Sequence, residues 1–437
     1  MRVLLISTYE LGRQPFGLAS PAAWLRARGH EVTCADMACA PLPVSAARAA
    51  EAIAFYLPMH TATRLAVRAI QKIRPLNPRA RLCCYGLYAP VNEPYLRSLG
   101  VEAILGGEFE PGLVSFVERG GGRQTEPLIS LDRLRFAVPD REGLPPLGRY
   151  AALQVNGARR TAGYTEASRG CKHFCRHCPI VPVYEGRFRV VDREVVLEDI
   201  RRQVEAGARH IAFGDPDFFN GPAHAARLVE ALHARFPEVT YDVTVKVEHL
   251  LRHRDLLPLL ARTGCLFVTS AVESLDDAVL EKLAKGHTRA DTVEAARLVR
   301  AAGLALAPTF VAFHPWTTLD SYRDMLAFVA DHDLIENVAP VQFAVRLLIP
   351  AGSKLLELAE VRDRIGPFDE AALSYPWQSH DPEVTALNTR VECEVKAGGT
   401  RREVFARIWE AAHGAPPPDF HLAARATIPY MTEPWFC

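Results

Sequence analysis

Residues 167–180 read ASRGCKHFCRHCPI, which sets Cys171, Cys175 and Cys178 within one eight-residue span. Thiolates at such spacing hold zinc or an iron–sulfur cluster. A structural zinc site takes four closed ligands, usually as two pairs. Here the remaining cysteines, at 34, 39, 83, 84, 265, 393 and 437, put no second pair nearby, and His173 and His177 are squeezed into the same loop. A four-iron cubane usually takes four thiolates. With three, one iron stays open to a ligand that is not protein, and that vacancy is the informative part of the motif.

Outward from this loop, the totals narrow the setting. The chain has 437 residues, enough for two or three domains, and 49% of them are apolar. Lys+Arg and Asp+Glu both count 51, so no basic excess marks a nucleic-acid or anionic-membrane surface. The opening MRVLLISTYELG holds too short an apolar run for a signal peptide, and no apolar run of about 18 residues follows. The expectation is a cytoplasmic protein whose cysteines are thiols or metal ligands rather than disulfides.

The loop sits at the head of the second of two βα series. In the first, strand signals at 2–8, 30–37, 50–57, 80–86 and 101–107 alternate with helical stretches such as SPAAWLRARG, with its Ser-Pro start and Gly stop. Such alternation predicts a parallel, doubly wound sheet over residues 1–118. The glycines of ERGGGRQTEP break the pattern, and 119–160 reads as a linker. From 161, strand signals at 163–168, 208–214, 239–247, 265–273, 304–313 and 340–349 predict a barrel-like or open α/β sheet, with a mixed region over 350–437.

One strand signal also bears on ligand binding. In YDVTVKVEH, Val243, Val245 and Val247 share one parity and Thr244, Lys246 and Glu248 the other. A barrel strand is expected to be apolar on both faces. A stripe of Thr, Lys and Glu therefore predicts a lumen that holds a polar ligand, unless the strand lies at an edge facing water. Arg346, of one parity with Gln342 and Ala344, is expected either to join Lys246 there or to stand as a solvated charge beyond the barrel rim.

The spacing C-x3-C-x2-C, followed by Pro and placed just after the first strand of a six-unit βα series, resembles the radical S-adenosylmethionine (SAM) superfamily. His177 departs from that family's usual aromatic residue before the third cysteine. The resemblance implies a partial (β/α)6 TIM-type barrel over 161–349, with Cys171, Cys175 and Cys178 binding a [4Fe-4S] cluster whose open iron takes the amino and carboxylate groups of SAM. Reductive cleavage of SAM then gives methionine and a 5′-deoxyadenosyl radical for substrate modification. In FGDPDFFN, Gly214 and Asp215, with Asp217 next, resemble the loop that holds the SAM amino group, and Glu273 in SAVES resembles a further SAM contact. FHPWTTLDSY lacks the glycines of the matching family segment. Lys246, Glu248 and Arg346 are the expected catalytic residues, facing the SAM carboxylate or an anionic substrate. A reducing partner such as flavodoxin or ferredoxin, and a small-molecule or peptide substrate, are implied; a membrane or nucleic-acid partner is not.

An α/β domain ahead of such a barrel resembles the cobalamin-binding domain of one large branch of the superfamily, which implies cobalamin and methyl transfer. The Asp-x-His-x-x-Gly ligand motif of that domain is absent, and TYELGRQPFGL stands in its place. His60, in YLPMHTATR, is expected either to touch the cofactor or to start the following helix. Radical chemistry without cobalamin on a peptide or small molecule is the alternative, and a zinc-stabilised binding protein the rival from another class. The final EPWFC resembles a radical SAM group whose tail reads Cys-Sec-Ala-Glu-Pro or Cys-Cys-Ala-Glu-Pro. The expectation is that the chain stops at a selenocysteine codon after Cys437, with a plain terminal cysteine as the alternative.

Overall fold

The computed structural model describes residues 1–119, 122, 124–418 and 429–433. Residues 434–437, which carry the tail reading, lie outside the described residues.

The first sheet is built of β1 (Arg2–Ser7), β2 (Glu31–Asp36), β3 (Ala52–Tyr56), β4 (Arg81–Tyr85), β5 (Ala103–Gly107) and the short β6 (Ile129–Ser130). All pairs are parallel, in the order β2-β1-β3-β4-β5-β6. Its apolar strands follow from burial on both faces. Leu4 and Ile6 pack into one core under the helix His60–Leu76, and Val3 and Leu5 into another under the helices Phe16–Arg26 and Glu110–Glu118. The order reverses at β1 and β3, the switch point where doubly wound sheets open a crevice.

The expected linker 119–160 contributes structure to both halves. It supplies β6 to the first sheet and β7 (Ala152–Val155), which forms a hairpin with β8 (Ala158–Thr165), to the second. Next come β9 (Ser168–Gly170) and β10 (Phe188–Val190), an antiparallel ribbon around the cysteine loop. Four more strands, β11 (His210–Phe213), β12 (Thr240–Thr244), β13 (Cys265–Glu273) and β14 (Ala305–Phe310), run parallel to β8. With β15 (Tyr430–Met431) on the β7 edge, the order is β14-β13-β12-β11-β8-β7-β15, a curled half-barrel. The helices Pro382–Ala397 and Arg401–His413 pack together, the second also against Leu319–Asp331. Among the described residues no helix is long and apolar enough to cross a membrane.

Two expected strands end differently. The strand expected over 340–349 is a 3-10 turn, Pro340–Phe343, followed by one parallel bridge between Phe313 and Arg346. Pro340 cannot donate to a ladder, and the Gln342 side chain accepts from the Phe310 backbone N at 3.0 Å, where a strand would supply a carbonyl. The strand expected over 239–247 stops at Thr244, and the chain re-forms as the helix Val247–Arg252. Val247, His249 and Leu250 are buried in it, and the apolar pair Val247 and Leu250 stands at the i, i+3 spacing of a helix face.

Candidate active site

The β9–β10 ribbon fixes both ends of the cysteine loop. Gly170 sits at φ +75°, and a Cβ there would stand 2.4 Å from the Tyr184 ring; only glycine lets the chain turn this tightly into Cys171. Inside the loop, Cys178 N donates to Cys175 O at 3.1 Å, and Arg176 N donates to Leu283 O at 2.9 Å. All three thiols are free. Burial above all, opposed by the Ile180 backbone hydrogen bond and by Lys285 and helped by Cys175 and Cys171, holds the Cys178 thiol up at about 12. The three thiols thus sense one another's charge, a penalty that the positive charge of a bound metal group would reverse.

Both histidines of the loop are held by carboxylates at strand ends. His177 Nε2 lies 3.1 Å from Glu273 Oε1, and buried Lys285 Nζ lies 3.5 Å from the same oxygen. Burial alone would raise the Glu273 carboxyl, but Lys285 and His177 outweigh it and bring it down to about 2. His173 Nε2 lies 3.2 Å from Asp217 Oδ2, and His249 Nδ1 lies 2.7 Å from that oxygen, off the axis of a hydrogen bond. The buried Asp217 carboxyl is again held below its ordinary value, because the two imidazoles outweigh desolvation. His173, Asp217 and His249 also have the donor set of a metal site. Lys246 Nζ, however, stands 3.1 Å from His173 Nδ1. An ammonium donating there leaves the proton on Nε2, where it serves Asp217 and not a cation. His177 Nδ1 is buried without a partner, a polar atom left for a group bound at the loop. The three thiols and this orphaned nitrogen fit a cluster held from one side, with no fourth cysteine of the described residues in the loop.

Beside the loop, the two sheets meet at their C-terminal edges around a cavity of about 320 Å³. Glu10 beyond β1, Met59 beyond β3, Gly86 beyond β4 and Gly107 at the end of β5 line one side. Tyr164 on β8, Gly214 and Asp215 beyond β11 and Thr244 on β12 line the other. Strand C-termini are where both architectures place ligands. A second cavity of about 270 Å³ enters the half-barrel between Asp242, Thr244, Thr269 and Thr309, and the Arg13–Glu433 ion pair at 2.6 Å stands beside it.

Arg169, two residues before Cys171, locks the halves together at the wall of the first cavity. Its guanidinium is buried and donates to Glu166 at 2.9 Å within the same strand-to-loop segment, and to Glu110 at 3.0 Å and Glu108 at 3.4 Å in the first domain. Burial pushes the Glu108 and Glu166 carboxyls up to about 7 against the opposing pull of Arg169. Sequence reasoning missed this group. Nothing local in GEFEPG or TEASRG marks these charged residues as buried, and the adjacency of Glu166-x-x-Arg169 to the cysteine loop is the one signal that points to them.

The predicted site residues divide into three sets. Gly214 and Asp215 line the first cavity. A Cβ on Gly214 would fall 1.9 Å from the Tyr164 hydroxyl, so packing alone requires this glycine. Asp215 accepts from Ala167 N at 2.9 Å and Ser168 Oγ at 2.5 Å, which ties it to the entry of the loop. Asp217 and Glu273 meet the loop histidines. The catalytic trio is dispersed. The polar stripe does face the lumen as Asp242 and Thr244, but Lys246 and Glu248 lie past the end of β12, beside His173. Arg346 is exposed and stacked over Trp377 at 4.4 Å, donating to its carbonyl, so the shared lumen expected for Lys246 and Arg346 is not formed. His60 begins its helix with Nε2 2.6 Å from Ala372 O and does not line the cavity beside it.

Comparison with known proteins agrees with this geometry. Residues 165–329 match the radical SAM superfamily. Hopanoid C-3 methylase of Methylococcus capsulatus is 26% identical over 49% of this chain and 43% of its own. Ribosomal protein uS12 methylthiotransferase of Porphyromonas gingivalis is 26% identical over 39% of this chain and 42% of its own. The chain thus spans about two fifths of the length of these curated relatives. Among solved structures, the cobalamin-dependent SAM radical enzyme OxsB with aqua-cobalamin bound has a TM-score of 0.65 at 16% identity, over 89% of this chain and 66% of its own. The radical SAM methyltransferase TsrM of Kitasatospora setae, with cobalamin and a [4Fe-4S] cluster bound, has 0.62 at 17%, over 84% and 76%. Both share the pairing of a parallel sheet with a curled half-barrel. Residues 165–329, which carry the three-cysteine loop, are thus similar to the radical SAM superfamily, whose members use a [4Fe-4S] cluster and SAM.

Proposed function

We propose that the chain is a cobalamin-binding radical SAM enzyme that transfers a methyl group to an unactivated carbon or phosphorus of a small-molecule or peptide substrate. The observation that carries the reading is the cavity where the C-terminal edges of the two sheets face each other, with the cysteine loop beside it. In this reading Cys171, Cys175 and Cys178 hold the cluster, and the cluster supplies the electron that cleaves SAM. His173 and His177, fixed by Asp217 and Glu273, orient the loop. Asp215 sets its entry, and Gly214 gives the SAM side of the cavity its shape. The first-domain edge of the cavity, with Glu10, Met59, Gly86 and Gly107, would hold the corrinoid, which would supply the methyl-carrying chemistry. The polar lumen of Asp242, Thr244, Thr269 and Thr309 takes the substrate, and aromatic walls exclude water. A flavodoxin or ferredoxin type of partner delivers the electron.

The test is anaerobic reconstitution with iron, sulfide and hydroxocobalamin, then incubation with SAM labelled in its methyl group. One corrinoid retained per chain through gel filtration, with label passing from SAM to the corrinoid, supports the proposal. Release of methionine and 5′-deoxyadenosine without corrinoid retention favours the radical reaction alone, and one tightly held zinc without sulfide overturns both.

A further inference from the structure

We propose that Glu10 and Glu166 form an acceptor wall that makes the cavity select a ligand bearing primary amides over one bearing carboxylates at the same positions. This rests on the corrinoid reading above and names the chemistry by which the chain recognises that ligand.

Glu10 stands in the loop after β1, lines the cavity, and is only 6% exposed. Its Oε2 is buried without a hydrogen-bond partner. The two cations nearest in charge are committed elsewhere. Arg13 is paired with Glu433 at 2.6 Å, and Arg141 is forked onto Asp199 at 2.9 Å for both contacts. Across the cavity, Glu166 shares Arg169 with Glu108 and Glu110. Three buried carboxyls, Glu108, Glu110 and Glu166, thus share the single Arg169 guanidinium, and the Glu10 carboxyl is left without a donor at Oε2. Burial above all, and then the neighbouring Glu166 and Asp36, raise the Glu10 carboxyl well above its ordinary value.

A buried acceptor without a donor is costly, and the cost is recovered when a ligand brings one. A bare cation would supply charge, but the cavity also has the aromatic walls Phe16, Tyr56, Phe109, Tyr164 and Tyr184, which suit an organic framework that carries its donors on its rim. A corrinoid with amide side chains meets both demands. The same framework with carboxylic acids would set like charge against Glu10 and Glu166.

The test compares two probes on the full-length chain by equilibrium dialysis with visible absorbance. Cobinamide carries amide side chains and no nucleotide tail; cobyrinic acid carries carboxylic acids in their place. The expected result is cobinamide bound at least about tenfold more tightly, the scale of one charge-assisted hydrogen bond. Glu10→Gln, a neutral near-isostere, should shrink that preference to below about threefold while cobinamide still binds. Equal binding of both probes by the wild type, or a preference unchanged in Glu10→Gln, overturns the acceptor wall and leaves the corrinoid reading standing. Failure of both probes to bind overturns the corrinoid reading and the wall with it.

Discussion

Glu273, the last residue of β13, holds His177 of the cysteine loop at 3.1 Å from a backbone at φ +69°. A non-glycine residue in the left-handed region costs on the order of 1–2 kcal/mol, and here the register with β14 shifts at the same point. The bent strand end aims the carboxylate at the loop. His177→Ala and Glu273→Ala should each weaken cluster retention by about 10- to 100-fold, as removal of a supporting hydrogen bond does at metal sites. Iron and sulfide content after dilution with a chelator measures this, and the double variant should lose little more than either single one.

Arg169 neutralises carboxylates from both domains. Arg169→Met should destabilise the chain by about 3–5 kcal/mol, because it leaves buried charge unpaired. Denaturant unfolding should show the loss, and adding Glu110→Gln and Glu166→Gln to the same chain should recover most of it.

Glu108 predicts a pH effect of definite sign. Burial raises its carboxyl from 4.5 to about 7, so the folded chain binds this proton more tightly than the unfolded one. The stabilisation is complete below about 4.5 and is lost as pH rises through 7. Glu108→Gln, which is permanently neutral, should therefore match the wild type at pH 5 and exceed its stability by about 2–3 kcal/mol at pH 8.5. A melting series across that range checks it.

Gly214→Ala separates packing from ligand contact. With its Cβ 1.9 Å from the Tyr164 hydroxyl, the variant should lose about 1–3 kcal/mol before any ligand is added. Tyr164→Ala in the same chain should recover stability, measured by thermal unfolding of the apoprotein.

The sequence made the skeleton readable and the charge network opaque, for one physical reason. Strand and helix alternation and the cysteine spacing are local patterns, so β1 to β5 and the place of the cysteine loop at the head of the second series were legible. The parity of YDVTVKVEH holds through Asp242 and Thr244, which do face the lumen, and fails at Lys246, because the spacing of Val247 and Leu250 turns the chain into a helix. The strand expected at 340–349 fails at Pro340 and Gln342, where a side chain replaces a ladder bond. Arg169, Glu108 and Glu110 meet across about 60 residues of sequence, and no local pattern announces such a contact. Asp217 and Glu273 were singled out by resemblance, but their pairing with His173 and His177 required the fold.

The central claim is that Cys171, Cys175 and Cys178 hold a cubane with one iron open to SAM. Electron paramagnetic resonance of the anaerobically reconstituted, reduced protein, recorded with and without SAM, addresses it most directly. The account predicts a reduced [4Fe-4S] signal that changes shape when SAM is added, and its loss on Cys178→Ala. A signal indifferent to SAM, or a cluster that survives removal of any one of the three thiols unchanged, would contradict it.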